Sequence, residues 1–354
     1  MKHGFRIIDA DMHTIEPDDL WSRYLDARFR TRAPAPSRRV RSPDPKSGQR
    51  HPHYAVAAAA RYDPASHLRA MDIEGIDKAV LFGTRGRHVQ MHDDIDPELA
   101  DALARAHNTW TREFCEADPQ RLKFAAQIAY HDVGLAVREV ERAVRDLRAV
   151  AVIGNPNPVN RRHIQDSHFE PLWSAIEDLG VPVCFHPTGV WTLRDDVGRR
   201  FAGHLGGRTI ADAARNPLEL MLAIASLTIG GVLSRHPKLV CVFLEGGCGW
   251  LPWWLERLDK TVVTFPDADT PLTMAPSDYF RRQCYIAADA DEAYLPQVVA
   301  ALGNGNVVMA TDYPHRDSLF PSTVDTIIGR ADISDEAKKR ILWDNALELF
   351  PALA

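Results

Sequence analysis

Eight short apolar runs punctuate this chain, and stretches with helical spacing fill most of the intervals between them. Strand-like residues occupy Ile7 to Ala10, Lys78 to Phe82, Phe124 to Ile128, Ala149 to Ile153, Val181 to Phe185, Leu239 to Leu244, Gln283 to Ala287 and Val307 to Ala310. Helices are predicted between them over Pro97 to Asp118, where Leu99, Leu103, Ala106 and Trp110 recur on one face, and over Leu135 to Leu147, Phe169 to Leu179 and Glu292 to Leu302. Strands that alternate with helices pair in parallel, and eight repeats favour closing the sheet into a (β/α)8 TIM barrel. Barrels of this kind routinely use 354 residues in one domain, so the expectation is a single domain over 1–354.

The pattern is interrupted after the first strand. The connection from about Arg28 to Ser66 is rich in Pro, Arg and Ser and is expected to be a long loop insertion or lid, residues 28–66, before a helix at His67 to Glu74 that stops at Gly75. The most apolar stretch, Leu218 to Val232, is broken by polar residues and Gly, falls short of the roughly 20 residues that span a bilayer, and reads as a buried helix. A final helix over Asp335 to Phe350 is expected to pack on the outside of the barrel.

A composition of 45% hydrophobic and 25% charged residues is that of an ordinary folded domain and argues against disorder. The net charge of −6 is spread along the chain without a basic run able to track a phosphate backbone, so nucleic acid is not an expected partner. The first strand begins within about five residues of the start, leaving no room for a signal peptide's apolar region, and a cytoplasmic protein with no membrane partner is expected. Five cysteines, Cys115, Cys184, Cys241, Cys248 and Cys284, include no CxxC pair and read as small core residues in a reducing compartment.

Three of the runs end in groups that can hold a metal ion. The first delivers Asp11 and His13, two residues apart and so on one side of an extended strand; the fifth ends at His186; the eighth ends at Asp312. Catalytic groups of a barrel sit at the C-terminal ends of its strands, and this mixed nitrogen and oxygen set suits one divalent ion, Zn²⁺ first and Mn²⁺ second. Glu245 ends the sixth run, where a carboxylate is costly to bury unless it is paired, ligated or kept neutral. It is a fifth ligand, a proton-transfer group or a helix cap. His315, three residues past Asp312, is placed to face the metal or to hold a water. Arg85, after the second run, can clamp a substrate carboxylate in the bidentate manner of a guanidinium, or remain solvated. His131 and Asn155 also follow strands and are candidates for lining a substrate pocket, whereas His51, His53, His88 and His92 read as solvated loop histidines. Trp250, Trp253 and Trp254, with Leu251 and Leu255, read as core or a subunit interface.

Assembled in order, these segments resemble the amidohydrolase superfamily, in the branch similar to aminocarboxymuconate semialdehyde decarboxylase and the resorcylate-type decarboxylases. The resemblance rests on Asp11-x-His13, on Cys184 to Gly189 (CFHPTG), on Arg235 to Leu239 (RHPKL), on Leu244 to Pro252 (LEGGCGWLP), on Asp312 to His315 (DYPH) and on Ile341 to Ala346 (ILWDNA). It implies a barrel with one divalent metal held by Asp11, His13, His186 and Asp312, and it implies a homodimer. Two positions depart from the pattern: Asp11 stands where the superfamily often has His, and Glu245 where the related decarboxylases commonly carry a strand-six His as acid/base.

The implied activity is non-oxidative decarboxylation of an aromatic or unsaturated carboxylic acid, a small-molecule substrate, with Glu245, Asp312 or His315 moving the proton. The alternative keeps the metal and hydrolyses an amide, lactone or C–C bond with a metal-activated water. A barrel that merely binds a small acid is a third reading, and retention of the whole ligand set speaks against it.

Overall fold

The computed structural model describes residues 1–34, 51–84, 92–187, 194–266 and 272–354. Eight strands form one sheet in chain order: β1 (Ile8–Thr14), β2 (Lys78–Gly83), β3 (Leu122–Ala126), β4 (Ala151–Gly154), β5 (Val183–Phe185), β6 (Cys241–Phe243), β7 (Cys284–Ala288) and β8 (Val307–Met309). Each strand pairs in parallel with the next. The two ends of the sheet meet just past β8, where the Asp312 amide donates to the Asp11 carbonyl at 3.0 Å and the His13 amide to the Tyr313 carbonyl at 2.7 Å. This is the (β/α)8 barrel that the alternation of runs implies.

Strand periodicity sorts the apolar side chains into two layers. Ile8, Ala10, Phe82, Ala125, Ile153, Cys184, Val242, Leu244 and Val308 fill the barrel interior. Their neighbours Ile7, Leu81, Phe124, Val152, Phe185, Phe243 and Ile286 face outwards into a larger core shared with the helices. All five cysteines are buried free thiols, three of them within strands.

Local chemistry sets the helix boundaries. Asp63 caps the Ser66 amide and Pro64 opens the helix Pro64–Glu74, three residues ahead of the predicted start. Gly75 ends it with φ +83°, a left-handed conformation that glycine adopts without a Cβ penalty. Asp132 likewise caps Leu135 and starts Val133–Arg145 early.

Four expectations change. The final helix does not pack outside: Trp343, Ala346, Leu349 and Phe350 belong to the same cluster as the inward-facing strand residues. Asn345 Nδ2 donates to the carbonyl of Val307 at the foot of β8. This segment therefore plugs the N-terminal end of the barrel, where the inner layer would otherwise meet water. It is also not one regular helix, since a π-helical turn, Arg340–Asp344, joins Asp335–Lys339 to Asn345–Leu349.

The apolar stretch at 218–232 is not a single buried helix. The helix Gly207–Thr228 ends, Gly231 turns with φ +77°, and Val232–Arg235 follows, while Leu218 and Leu222 are exposed because only one face of the long helix meets the barrel. The connection expected as a lid over 28–66 contains a 3₁₀ turn, Ala27–Arg32, and a helix, Pro52–Ala59, among its described residues; 35–50 lie outside them. Its Tyr54 is fully buried, with its ring 5.5 Å from that of Tyr313 and 5.4 Å from that of Phe320. His53, expected in solvent, is buried beside it with Nε2 3.0 Å from the Ser66 carbonyl. His51 caps the start of that helix, His92 is exposed, and His88 lies outside the described residues.

Candidate active site

The C-terminal ends of β1, β5, β6 and β8 bring Asp11, His13, His186, Glu245 and Asp312 to one place. His13 Nε2 lies 3.4 Å from Asp11 Oδ1, 3.2 Å from Asp312 Oδ1 and 3.2 Å from His186 Nε2. His186 Nε2 lies 3.3 Å from Asp11 Oδ2 and 3.1 Å from Glu245 Oε2. His186 gets there by strand alternation: Cys184 points into the barrel, Phe185 out and His186 in again. Glu245 gets there by breaking alternation. Phe243 points out and Leu244 in, so an extended residue 245 would point out; instead its backbone turns with φ +55°, as does that of Asp312 with φ +53°. Non-glycine residues in this region cost about 1–3 kcal/mol and persist where the surroundings impose them.

The donor set fits a divalent cation. Two imidazole Nε2 atoms facing each other among carboxylate oxygens at these distances repel unless a proton or a cation lies between them. Asp11, His13 and His186 form one such group, and His13, Asp312 and His315 a second. His186 Nδ1 is 3.0 Å from the Pro187 carbonyl, which accepts a hydrogen bond from that nitrogen and turns Nε2 inward, the arrangement of a metal-binding imidazole. Burial, and then His315, pushes the His13 imidazolium down to about 3, so the ring is neutral, the form that ligates. Burial raises Asp312, but His315 and His13 outweigh it and keep the carboxyl well below its ordinary range.

His315 joins the cluster through Nδ1, 2.7 Å from Asp312 Oδ1. Asn155 follows β4, where the His186 amide donates to the Gly154 carbonyl. It is 1% exposed, and its side-chain oxygen and nitrogen have no hydrogen-bond partner among the described residues. His131 is not drawn in; its Nε2 lies 2.8 Å from the His92 carbonyl on the rim. Arg85 lies outside the described residues. Glu245 does not cap the following helix, Leu251–Thr264: the carboxylate at the Cys248 and Gly249 amides ahead of it is that of Glu292.

Several residues here were not singled out in the sequence. Thr84 Oγ1 lies 3.1 Å from His315 Nε2 and 3.4 Å from His13 Nδ1. Asp9 is fully buried under the cluster, and burial pushes its carboxyl up to about 8. A cavity of about 360 Å³ opens from Asp11, Glu245 and Asp312 past Asp289, Asp291 and Asp317, with no Lys, Arg or His among its described lining residues. Desolvation, and then the carboxylates around it, raises Asp289 to about 6. Thr84 and Asp289 directly follow strands, so the rule that found Asn155 would have found them.

Residues 8–352 match the amidohydrolase family. The chain belongs to that family. Among its relatives, the gamma-resorcylate decarboxylase of Polaromonas sp. is 25% identical over 299 residues, covering 80% of this chain and 86% of the relative. The 2-amino-3-carboxymuconate-6-semialdehyde decarboxylase of Dictyostelium discoideum is 25% identical over 291 residues, covering 81% and 76%. The crystal structure of 5-carboxyvanillate decarboxylase from Sphingomonas paucimobilis superposes with a TM-score of 0.74 at 25% identity, covering 98% of this chain and 99% of that one. A dihydroxybenzoic acid decarboxylase from Polaromonas sp., solved with bound manganese and the inhibitor 2-nitroresorcinol, shares the fold at 22% identity and a TM-score of 0.72, covering 98% and 97%. These relatives of the amidohydrolase-family chain are thus decarboxylases, and no helix among its described residues is long and apolar enough to cross a membrane.

Proposed function

We propose that this amidohydrolase-family protein is a divalent-metal-dependent decarboxylase of a small aromatic or unsaturated carboxylic acid. The observation that carries the reading is the convergence of two imidazoles and several carboxylates at the C-terminal mouth of the barrel, in a chain whose relatives include decarboxylases. Asp11, His13, His186 and Asp312 would hold the ion, Zn²⁺ or Mn²⁺. A cation there supplies the charge that binds the substrate carboxylate and a neighbouring oxygen.

The chain's own residues would do the rest. Glu245 delivers a proton to the carboxyl-bearing carbon; the C–C bond then breaks, its electrons return to the unsaturated system and CO₂ leaves. Asp312 and His315, 2.7 Å apart, form the second route for that proton. Asn155 offers a buried amide that is costly to leave unpaired, which supports a hydrogen bond to substrate. Arg85, next to Thr84, would clamp the carboxylate, and His131 would border the pocket at its rim.

A cytoplasmic homodimer belongs to the same proposal. Ile210, Leu218 and Leu222 along Gly207–Thr228, and Trp253 on the helix whose Trp254 donates to the Met221 carbonyl, supply exposed apolar surface for the interface.

Protein of verified metal content is expected to release CO₂ from at least one hydroxybenzoic or muconate-type acid, and Asp312→Ala to abolish both the release and the bound metal. Failure of metal-loaded protein to release CO₂ from every such acid overturns the proposal.

A further inference from the structure

Below the converging ligands, one fully buried carboxylate joins the first and last strands. Asp9 Oδ1 accepts from the Asp11 amide at 3.1 Å and from the Thr311 amide at 3.1 Å, and its Oδ2 accepts from Thr311 Oγ1 at 2.5 Å. The same Thr311 oxygen accepts from the Tyr313 amide at 3.2 Å. Thr311 and Tyr313 flank Asp312, so one hydroxyl spans the turn in which Asp312 takes its φ of +53°. On the other strand the register shifts between Asp9 and Met12, the stretch that contains Asp11. Two ligand-bearing segments, each irregular in its backbone, are thus tied to a single anchor.

We propose that Asp9 and Thr311 are positioning residues that set the separation and direction of Asp11 and Asp312, and so tune the metal site without touching the ion. The proposal rests on the reading of Asp11 and Asp312 as ligands. The chemistry of the contacts favours this over a purely structural tie. An acid bound at both oxygens is held rigidly, and among the described residues its three hydrogen bonds all run to Asp11 and Thr311, a ligand and the neighbour of one, and none to the helices. Residues that orient ligands from behind cost about 10- to 100-fold in metal affinity when altered.

Thr311→Val keeps the shape of the side chain and removes the hydroxyl that binds Asp9 and Tyr313; Thr311→Ser restores it. Asp9→Asn replaces an acceptor by an amide donor facing the Thr311 hydroxyl and can fail to fold, so the threonine pair carries the test. Affinity for Zn²⁺ and Mn²⁺ is measured by chelator competition on metal-free protein, with Mn²⁺ electron paramagnetic resonance as a direct view of the site. Thr311→Val is expected to lose at least about tenfold in affinity and to change the Mn²⁺ spectrum, while Thr311→Ser stays within about threefold of the parent. If Thr311→Val only lowers the unfolding temperature of the metal-free protein, with affinity and spectrum unchanged, the role is structural and the inference is overturned. A parent protein that binds neither ion would instead refute the reading of the site itself.

Discussion

Glu219 offers a change whose sign and size both follow from its surroundings. It lies on the long helix Gly207–Thr228, is 1% exposed, and its Oε1 accepts from the Val197 amide at 2.6 Å. That bond fastens the segment after β5 to the helix, beside the buried Asp196–Arg215 pair at 3.1 Å. Burial first, and then the Asp196 charge, raises its carboxyl from 4.5 to about 7 against the pull of Val197 N–H, Arg215 and Asn157. The folded protein therefore holds a proton there that the unfolded chain releases above pH 4.5, and stability falls as pH rises from about 4.5 through 7. At 1.36 kcal/mol per pK unit, the difference between 4.5 and about 7 amounts to about 3 kcal/mol, present in full above pH 8. Glu219→Gln keeps an acceptor for Val197 and no longer titrates. Thermal and urea unfolding of parent and variant from pH 4 to 9 should show near-equal stability at pH 4, with the variant gaining up to about 3 kcal/mol by pH 8. For a chain of 354 residues that is roughly 4 °C in Tm. A difference that does not vary with pH, or a variant that loses ground as pH rises, would refute the argument.

Other outcomes follow from the geometry of the mouth. In Gly83→Ala the new Cβ would lie 2.5 Å from Gln127 Nε2 and His107 Nε2 and 2.8 Å from Glu16 Oε1. It should cost about 1–3 kcal/mol in urea unfolding and lower kcat by displacing the adjacent Thr84 from His13 and His315. The carboxylates around the cavity should make aromatic dicarboxylates poorer substrates than monocarboxylates. Asp289→Asn should narrow that difference in kcat/KM roughly fivefold, about 1 kcal/mol of repulsion, and an unchanged ratio would show that substrate does not enter beside Asp289. Glu245→Gly should relieve the left-handed backbone and stabilise the protein by about 1 kcal/mol while removing decarboxylation, which unfolding and CO₂-release assays read separately.

Much of the architecture was legible because its causes are local. The strand runs are short, apolar and bounded, so period and punctuation located all eight to within a few residues, and Gly75 marked a helix end. The caps Asp63 and Asp132 were equally local signals, and reading them would have corrected two helix starts. What escaped depends on contacts between distant segments. Trp343, Ala346 and Phe350 form an apolar helix face, and nothing in that face says whether it covers the barrel wall or its floor. Leu218 and Leu222 look like core residues in a window of sequence, but the barrel takes only one face of their helix. Tyr54 and His53, in a Pro-rich and Arg-rich connection, are buried by rings that arrive with the segment after β8.

The candidate site divides along the same line. His186 sits where an extended strand aims it, and alternation brings it to the mouth, whereas His13 turns inward only after the register shift between Asp9 and Met12, past which Met12 faces out although Ile8 and Ala10 face in. Asp312 and Glu245 depend on left-handed turns, a conformation that carboxylate residues adopt at a cost and that no periodicity announces. Alternation would have sent Glu245 outwards among the helices, where Phe243 points, and its place 3.1 Å from His186 Nε2 is the product of that single turn. The left-handed backbone thus lies on the two acids at the ends of β6 and β8, while the imidazoles stand on extended strand ends, His13 just past the register shift in β1. An arrangement of this kind can alter its acids, and with them the proton chemistry, without disturbing the strands that carry the histidines. That is the physical sense in which this barrel can carry a glutamate at 245.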